Sequence, residues 1–173
     1  MPSLDTLLLR IAKGDNEAFA ALYEKTGRGV YAFLNTYYKN HHDTEDAMQS
    51  VYLRIKQKIG LYKGGSNARA WILEIAKNYA LNDIKRNARV SYTDDEGDFS
   101  HHATAHDTEF IITDLVRRVL SEDEEKIAVL HLIWGYRHRE IAELLAIPVG
   151  TVTSKYKRAM DKLKKAIKEE GIL

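Results

Sequence analysis

The sequence predicts an all-α fold: two small helical domains joined by a flexible acidic linker. Proline occurs only at positions 2 and 148 of 173 residues, and no alternating β-branched run is long enough for a strand. Apolar residues recur at helical spacing through most of the chain. Between Arg89 and Arg117 there is no Lys or Arg, while Asp94, Asp95, Glu96, Asp98, Asp107, Glu109 and Asp114 accumulate beside Gly97 and several Ser and Thr residues. Such a segment has too little apolar surface to repay ordering, so it reads as a tether. The predicted division is residues 1–89, a linker over 90–108, and residues 109–173. No internal repeat is visible.

The elements follow in order. A first helix is predicted from about Leu4 to Lys13, stopped by Gly14, with Asp15 or Asn16 capping the next. The second runs from about Glu17 to Tyr38, with an interruption allowed around Gly27 and Gly29. Asp43 or Thr44 caps the third, whose stripe is Ala47, Val51, Tyr52, Ile55 and Ile59. Gly60 to Gly65 breaks the pattern, and Ser66 or Asn67 starts a fourth helix reaching about Arg89. Its apolar face is Trp71, Ile72, Ile75, Ala76 and Tyr79, which makes Trp71 and Tyr79 core residues. Its polar stripe is Asn78, Asn82, Lys85, Arg86 and Arg89. A fifth helix spans about Glu109 to Leu120. The next opens on Ser121-Glu122-Asp123-Glu124, which fits a capping box, and ends near Trp134-Gly135.

Composition narrows the function classes. The chain is 45% hydrophobic and 29% charged, enough for packed cores and a solvated surface. No apolar run approaches the roughly 20 residues that cross a bilayer, and the first residues lack the basic and apolar segments of a secretory signal. With no cysteine there is neither disulfide nor thiolate metal site, which fits a reducing cytoplasm. Net charge is only +1, so the distribution of charge matters more than its sum. The stretch Lys63 to Arg89 carries Lys63, Arg69, Lys77, Lys85, Arg86 and Arg89 against Glu74 and Asp83. A second basic region lies near the C-terminus.

That second region, His138 to Arg158, reads as two short helices around a tight turn. Ile141, Leu144 and Leu145 share a core-facing side. Pro148, with fixed φ and no N–H, suits the first turn of the second helix. In that helix Val152, Tyr156, Ala159 or Met160, Leu163 and Ile167 form the packing stripe. Ser154, Lys157, Arg158 and Asp161 occupy another side, flanked by Thr153 and Lys155, with Lys162, Lys164, Lys165 and Lys168 beyond. This is helix-turn-helix geometry, in which a helix end enters the major groove of DNA. Arg pairs bidentately with guanine, while Ser, Thr and Lys add base-edge or phosphate contacts.

Four stretches together resemble bacterial sigma factors of the sigma-70 family, of the extracytoplasmic-function type. Leu9 to Tyr23 (LRIAKGDNEAFAALY) resembles the opening of the family's first domain. Asp43 to Ile55 (DTEDAMQSVYLRI) and Ala70 to Asn78 (AWILEIAKN), followed by Asp83 and Arg86, resemble region 2. Pro148 to Val152 (PVGTV) with Arg158-Ala159 resembles region 4. The resemblance covers nearly the whole chain except the linker. It implies a subunit that binds core RNA polymerase, recognises the −10 and −35 elements of promoter DNA, and helps open the duplex. Such a subunit is not an enzyme and uses no cofactor.

The resemblance also implies residue roles. Thr151, Thr153, Ser154, Lys155, Lys157 and Arg158 would meet the −35 element. An open −10 element needs a pocket for an unstacked base and a basic track for the backbone. Tyr62, Lys63, Gly64, Gly65, Ser66 and Asn67 match the family loop that captures such a base, with Asn78, Asn82, Lys85 and Arg86 following. Asp46, Gln49, Ser50 and Arg54 would contact the polymerase clamp. The acidic linker would thread towards the basic active-site cleft of the polymerase. No segment reads as a sensory domain, so control by an anti-sigma factor is implied.

Two departures from the family pattern bear on specificity. Thr153 stands where a basic residue is common, and Lys155 where Arg is usual; Lys lacks the bidentate fork. Ala68 replaces an aromatic often found ahead of the Trp. Two other readings compete on the residues alone. A stand-alone helix-turn-helix regulator would explain the C-terminal block but not the rest. A metalloenzyme would need His41-His42-Asp43, or His101-His102 with His106 and Asp107, to be ligands, but neither group has a completed zinc-site spacing.

Overall fold

A computed structural model describes residues 1–90 and 108–171, with side chains described from 114 onward in the second stretch. The linker carboxylates at 94–98 and the His101-His102-His106-Asp107 group lie outside the described residues. Among the described residues every regular element is a helix. The chain divides into two compact units, Met1–Ile84 and Lys85–Leu173, the division falling within one helix.

In the first unit, α1 spans Leu4–Ala12 and α2 spans Asn16–Tyr38. Ser3 caps α1 by accepting from the Thr6 N–H at 3.1 Å, and Asp15 caps α2 by accepting from Ala18 at 3.0 Å. The predicted interruption of α2 at Gly27 and Gly29 does not occur. Gly27 instead allows a close approach: a Cβ there would lie 3.3 Å from the Met48 Cε of the next helix. Helix α3 spans His41–Lys58 and continues into a single 3-10 turn, η1, over Ile59–Leu61.

The cap of α3 is Asn40, not Asp43 or Thr44; its side chain accepts from the Asp43 N–H at 2.8 Å. Thr44 is buried inside the helix, and its hydroxyl reaches Asn35 Oδ1 at 3.1 Å and the Asn40 carbonyl at 2.5 Å. His41 and His42 therefore lie in the first turn of α3, exposed, pairing with Glu45 and Asp46 one turn on.

Helix α4 spans Ala68–Val90 and starts on Asn67, whose side chain accepts from the Ala70 N–H at 3.1 Å. Ser66 is not the cap: its hydroxyl turns back to the Lys63 carbonyl. The expected core placement of Trp71 and Tyr79 is also corrected. Both are half-buried, while Leu73 and Ala80 join Ile72, Ile75 and Ala76 inside. The wide rings sit at the margin of the buried stripe. Tyr79 there carries the Arg54 guanidinium 4.9 Å above its ring. Tyr38 donates to Asp83 at 2.8 Å, fixing the end of α2 to α4. Leu7, Leu8, Leu22, Val30, Phe33, Leu34, Val51, Ile55, Ile72 and Leu73 form the core. Each contributes about 1.5–3 kcal/mol of burial.

In the second unit, α5 spans Thr108–Val119, α6 Glu122–Leu132, α7 His138–Leu145 and α8 Val149–Glu169. Helix α8 packs against α5, α6 and α7. Leu120, Ala128 and Ala159 are buried together, with Val116, Val119, Met160 and Leu163 around them. The predicted capping box is present: Ser121 donates its N–H to Glu124 Oε2 at 3.0 Å, and its hydroxyl accepts from the Glu124 N–H.

Candidate nucleic-acid interface

The turn between α7 and α8 is built from backbone hydrogen bonds. Ala146 adopts the left-handed conformation (φ 55°, ψ 46°), its N–H meeting the Glu143 carbonyl and that of Ile147 the Ala142 carbonyl. This is a Schellman closure, with alanine at the position glycine usually holds. Pro148 is the residue before α8, one place earlier than predicted, because its extended backbone (ψ 142°) redirects the chain. Ile141, Leu144 and Val152 are buried, so the angle between the two helices rests on apolar packing.

The outward side of α8 carries Thr153, Ser154, Lys157 and Arg158, all exposed, with Thr151 and Lys155 half-buried. These six are not electrostatically alike. Lys155 is engaged with Asp123, and that ammonium holds the Asp123 carboxyl below its usual range. Arg158 Nε lies 3.7 Å from Glu124 Oε1, and Lys162 Nζ 2.8 Å from Glu124 Oε2. The acidic first turn of α6 thus faces the basic side of α8. The Thr153 hydroxyl contacts the Val149 carbonyl and His138 Nδ1, each at 3.1 Å. Behind it, the rings of His131, His138 and Tyr156 pack with centroids 4.6–5.1 Å apart. Sequence periodicity gave no sign that Asp123, Glu124 and His138 meet α8, because those partners lie 15 or more positions away.

The loop before α4 is tied down rather than loose. Tyr62 is buried, donates its hydroxyl to Asp5 Oδ1 at 2.6 Å, and packs its ring against Trp71 with centroids 5.2 Å apart. Burial and the adjacent Asp5 carboxylate both push the phenol pKa up, so it remains a donor. Gly65, at φ 77°, donates its N–H to the same Asp5 oxygen at 3.0 Å. Lys63, Gly64, Gly65, Ser66 and Asn67 are exposed around this anchor. Asn78, Asn82, Lys85 and Arg86 are exposed along α4. Helical spacing puts them on one continuous side.

On α3, Asp46 and Gln49 are exposed and Ser50 and Arg54 half-buried. Leu53, 57% exposed, lies on the same side seven positions after Asp46. Helical period could have found it, since an apolar residue there interrupts a polar face. Asp5 and Leu9 of α1, which touch the loop, were missed for want of any local signal.

Two family models match the chain: Sigma-70 region 2 over residues 22–90 and Sigma-70 region 4 over residues 118–163. Among curated proteins it is 26% identical over 167 residues to the ECF RNA polymerase sigma factor SigC of Mycobacterium tuberculosis, covering 93% of this chain and 89% of that one. It is 28% identical over 177 residues to the ECF RNA polymerase sigma-E factor of Haemophilus influenzae, covering 93% of each. Among solved structures, the sigma factor RpoE of Bartonella quintana, in complex with the anti-sigma factor NepR, matches with TM-score 0.66 at 21% identity. That match covers 87% of this chain and 96% of the other. CnrH, in complex with the cytosolic domain of CnrY, matches with TM-score 0.64 at 19% identity, covering 95% and 97%.

Proposed function

The chain belongs to the sigma-70 family, in its extracytoplasmic-function group, and on that premise we propose that it binds core RNA polymerase and directs it to a particular set of promoters. In this reading residues 109–173 read the −35 element through Thr151, Thr153, Ser154, Lys155, Lys157 and Arg158. Residues 1–89 read the −10 element through Tyr62–Asn67, Asn78, Asn82, Lys85 and Arg86, and meet the polymerase through Asp46, Gln49, Ser50, Leu53 and Arg54. Residues 90–108 tether the two. The protein works by binding rather than catalysis, in the cytoplasm, under the control of an anti-sigma factor. RpoE of Bartonella quintana, of the same fold, has been solved bound to such a partner.

The observation that carries this reading is the exposed Thr153-Ser154-Lys157-Arg158 side of α8, presented behind the packed α7 turn. Of these, Arg158 has the fork for guanine, and the nearby Glu124 oxygen faces its Nε rather than the terminal nitrogens. Reconstituting the chain with core polymerase and sequencing transcript starts on genomic DNA tests the function directly. A defined set of starts sharing −10 and −35 sequences is expected; start sites unchanged from core polymerase alone would end the proposal. On such a promoter, Arg158→Ala is expected to cost about 1–3 kcal/mol of −35-dependent binding with core affinity intact. Loss of core binding would place Arg158 in the polymerase contact instead.

A further inference from the structure

We propose that α1 is part of the −10 reading apparatus: Asp5 and Leu9 are positioning residues that hold the Tyr62–Asn67 loop in the shape that receives an unstacked base. This rests on the assignment of that loop to −10 recognition. It adds two residues outside the stretch matched by the region 2 model, which begins at residue 22.

The observations converge on one carboxylate oxygen. Asp5 Oδ1 accepts from the Tyr62 hydroxyl at 2.6 Å and from the Gly65 N–H at 3.0 Å. It therefore ties the first residue of the loop to the fourth across about sixty positions of sequence. Gly65 has φ 77°, a backbone state that alternative loop shapes would leave, so the hydrogen bond to its N–H selects that state. The Tyr62 hydroxyl also lies 3.4 Å from the Ser66 carbonyl, and the Ser66 N–H and hydroxyl both reach the Lys63 carbonyl. The loop is thus closed on itself at one end and fastened to α1 at the other.

Leu9 supplies a second contact of a different kind. A Cβ at Gly64 would lie 3.1 Å from both Leu9 methyl carbons. Leu9 is 38% exposed and belongs to neither core stripe, so its place is to floor the loop. The backbone of Gly64 and Gly65 is then held in place, and at Gly65, whose N–H is already given to Asp5, a Cβ would meet nothing within 4 Å, so space is open there. A backbone of fixed shape beside an open space suits receiving a base that has left the stack. A loop that had to order on binding would lose affinity to that ordering.

The test uses holoenzyme and a promoter found by start-site mapping, with 2-aminopurine at each position of the −10 non-template strand in turn. Wild-type holoenzyme is expected to brighten one position sharply as the base unstacks. No brightening anywhere would overturn the assignment of the loop itself, and this proposal with it. Given a wild-type signal, Asp5→Ala is expected to lose about tenfold in discrimination at that position, the scale of a lost charge-assisted hydrogen bond. Asp5→Asn keeps a carbonyl acceptor for both donors and should recover most of it, with core affinity unchanged in each. Discrimination unaltered in Asp5→Ala, or equal damage in both variants together with lost core binding, overturns the role. If Asp5→Ala does not fold, the decision rests on Gly64→Ala, which should dim the signal by pressing on Leu9. The pair Leu9→Ala with Gly64→Ala should restore it, and a pair no better than Gly64→Ala alone refutes the proposal.

Discussion

Glu124 joins α6 and its cap to α8 through one side chain. Its Oε2 accepts from the Ser121 N–H and from Lys162 Nζ, and its Oε1 faces Arg158, with only 5% of the side chain exposed. Burial raises its pKa, but the Lys162 ammonium and the Ser121 donors outweigh that and hold the carboxyl below its usual 4.5. A folded-state value lower than the unfolded one means stability that is present above the unfolded pKa and lost as pH falls through the folded one. Glu124→Gln keeps an acceptor for the capping box and removes the charge. It is expected to lose about 1–2 kcal/mol at neutral pH, the lower range because both cations are half in water. Its stability should also fall less than that of wild type on acidification below 4.5. Urea unfolding at neutral and acidic pH checks this; equal acid losses in both proteins would assign the effect to other carboxylates. The capping box itself was legible, because its spacing is three residues. The link to Lys162, 38 positions away, was not.

At the scale of the element, the α7–α8 turn carries a strain the sequence conceals. An alanine in the left-handed region costs about 1–2 kcal/mol relative to its right-handed state, and Ala146 stands there exposed. Ala146→Gly is therefore expected to stabilise the protein by about 1 kcal/mol, raising the thermal midpoint in calorimetry while leaving −35 affinity within twofold. A lower midpoint would mean that the alanine methyl makes a contact worth more than the strain. The helices themselves were readable from periodicity, since α1, α2, α4 and α6 begin within a residue or two of where caps and stripes put them. The start of α3 was not, because Asp43 and Thr44 satisfy the capping rule as well as Asn40 does. What rejects Thr44 is Asn35, a partner on another helix that its hydroxyl can reach only from inside the core. Trp71 and Tyr79 fit the apolar stripe of α4 by spacing, yet helical period says only which way a side chain points, not how much neighbour stands there.

For the whole molecule, Asn78 and Arg158 lie in separate compact units, each with its own core. If each unit reads its own promoter element, the costs of Asn78→Ala and Arg158→Ala should add within about 0.5 kcal/mol. Open-complex formation by the two single variants and the double variant measures this, and a strongly sub-additive double variant would mean that both act on one step or one surface. Taken alone, the sequence determined the all-helical class, the acidic break between two basic blocks, the family, and the exposed side of α8. All of these follow from composition and from patterns that repeat within a few residues. Only the tertiary structure decided which charged groups are engaged: Asp123 with Lys155, Glu124 with Lys162 and Arg158, and Asp5 with Tyr62 and Gly65. Helical and strand periods are local properties of the chain, whereas an ion pair or loop anchor is chosen by proximity between residues tens of positions apart. That proximity exists only once the cores have packed.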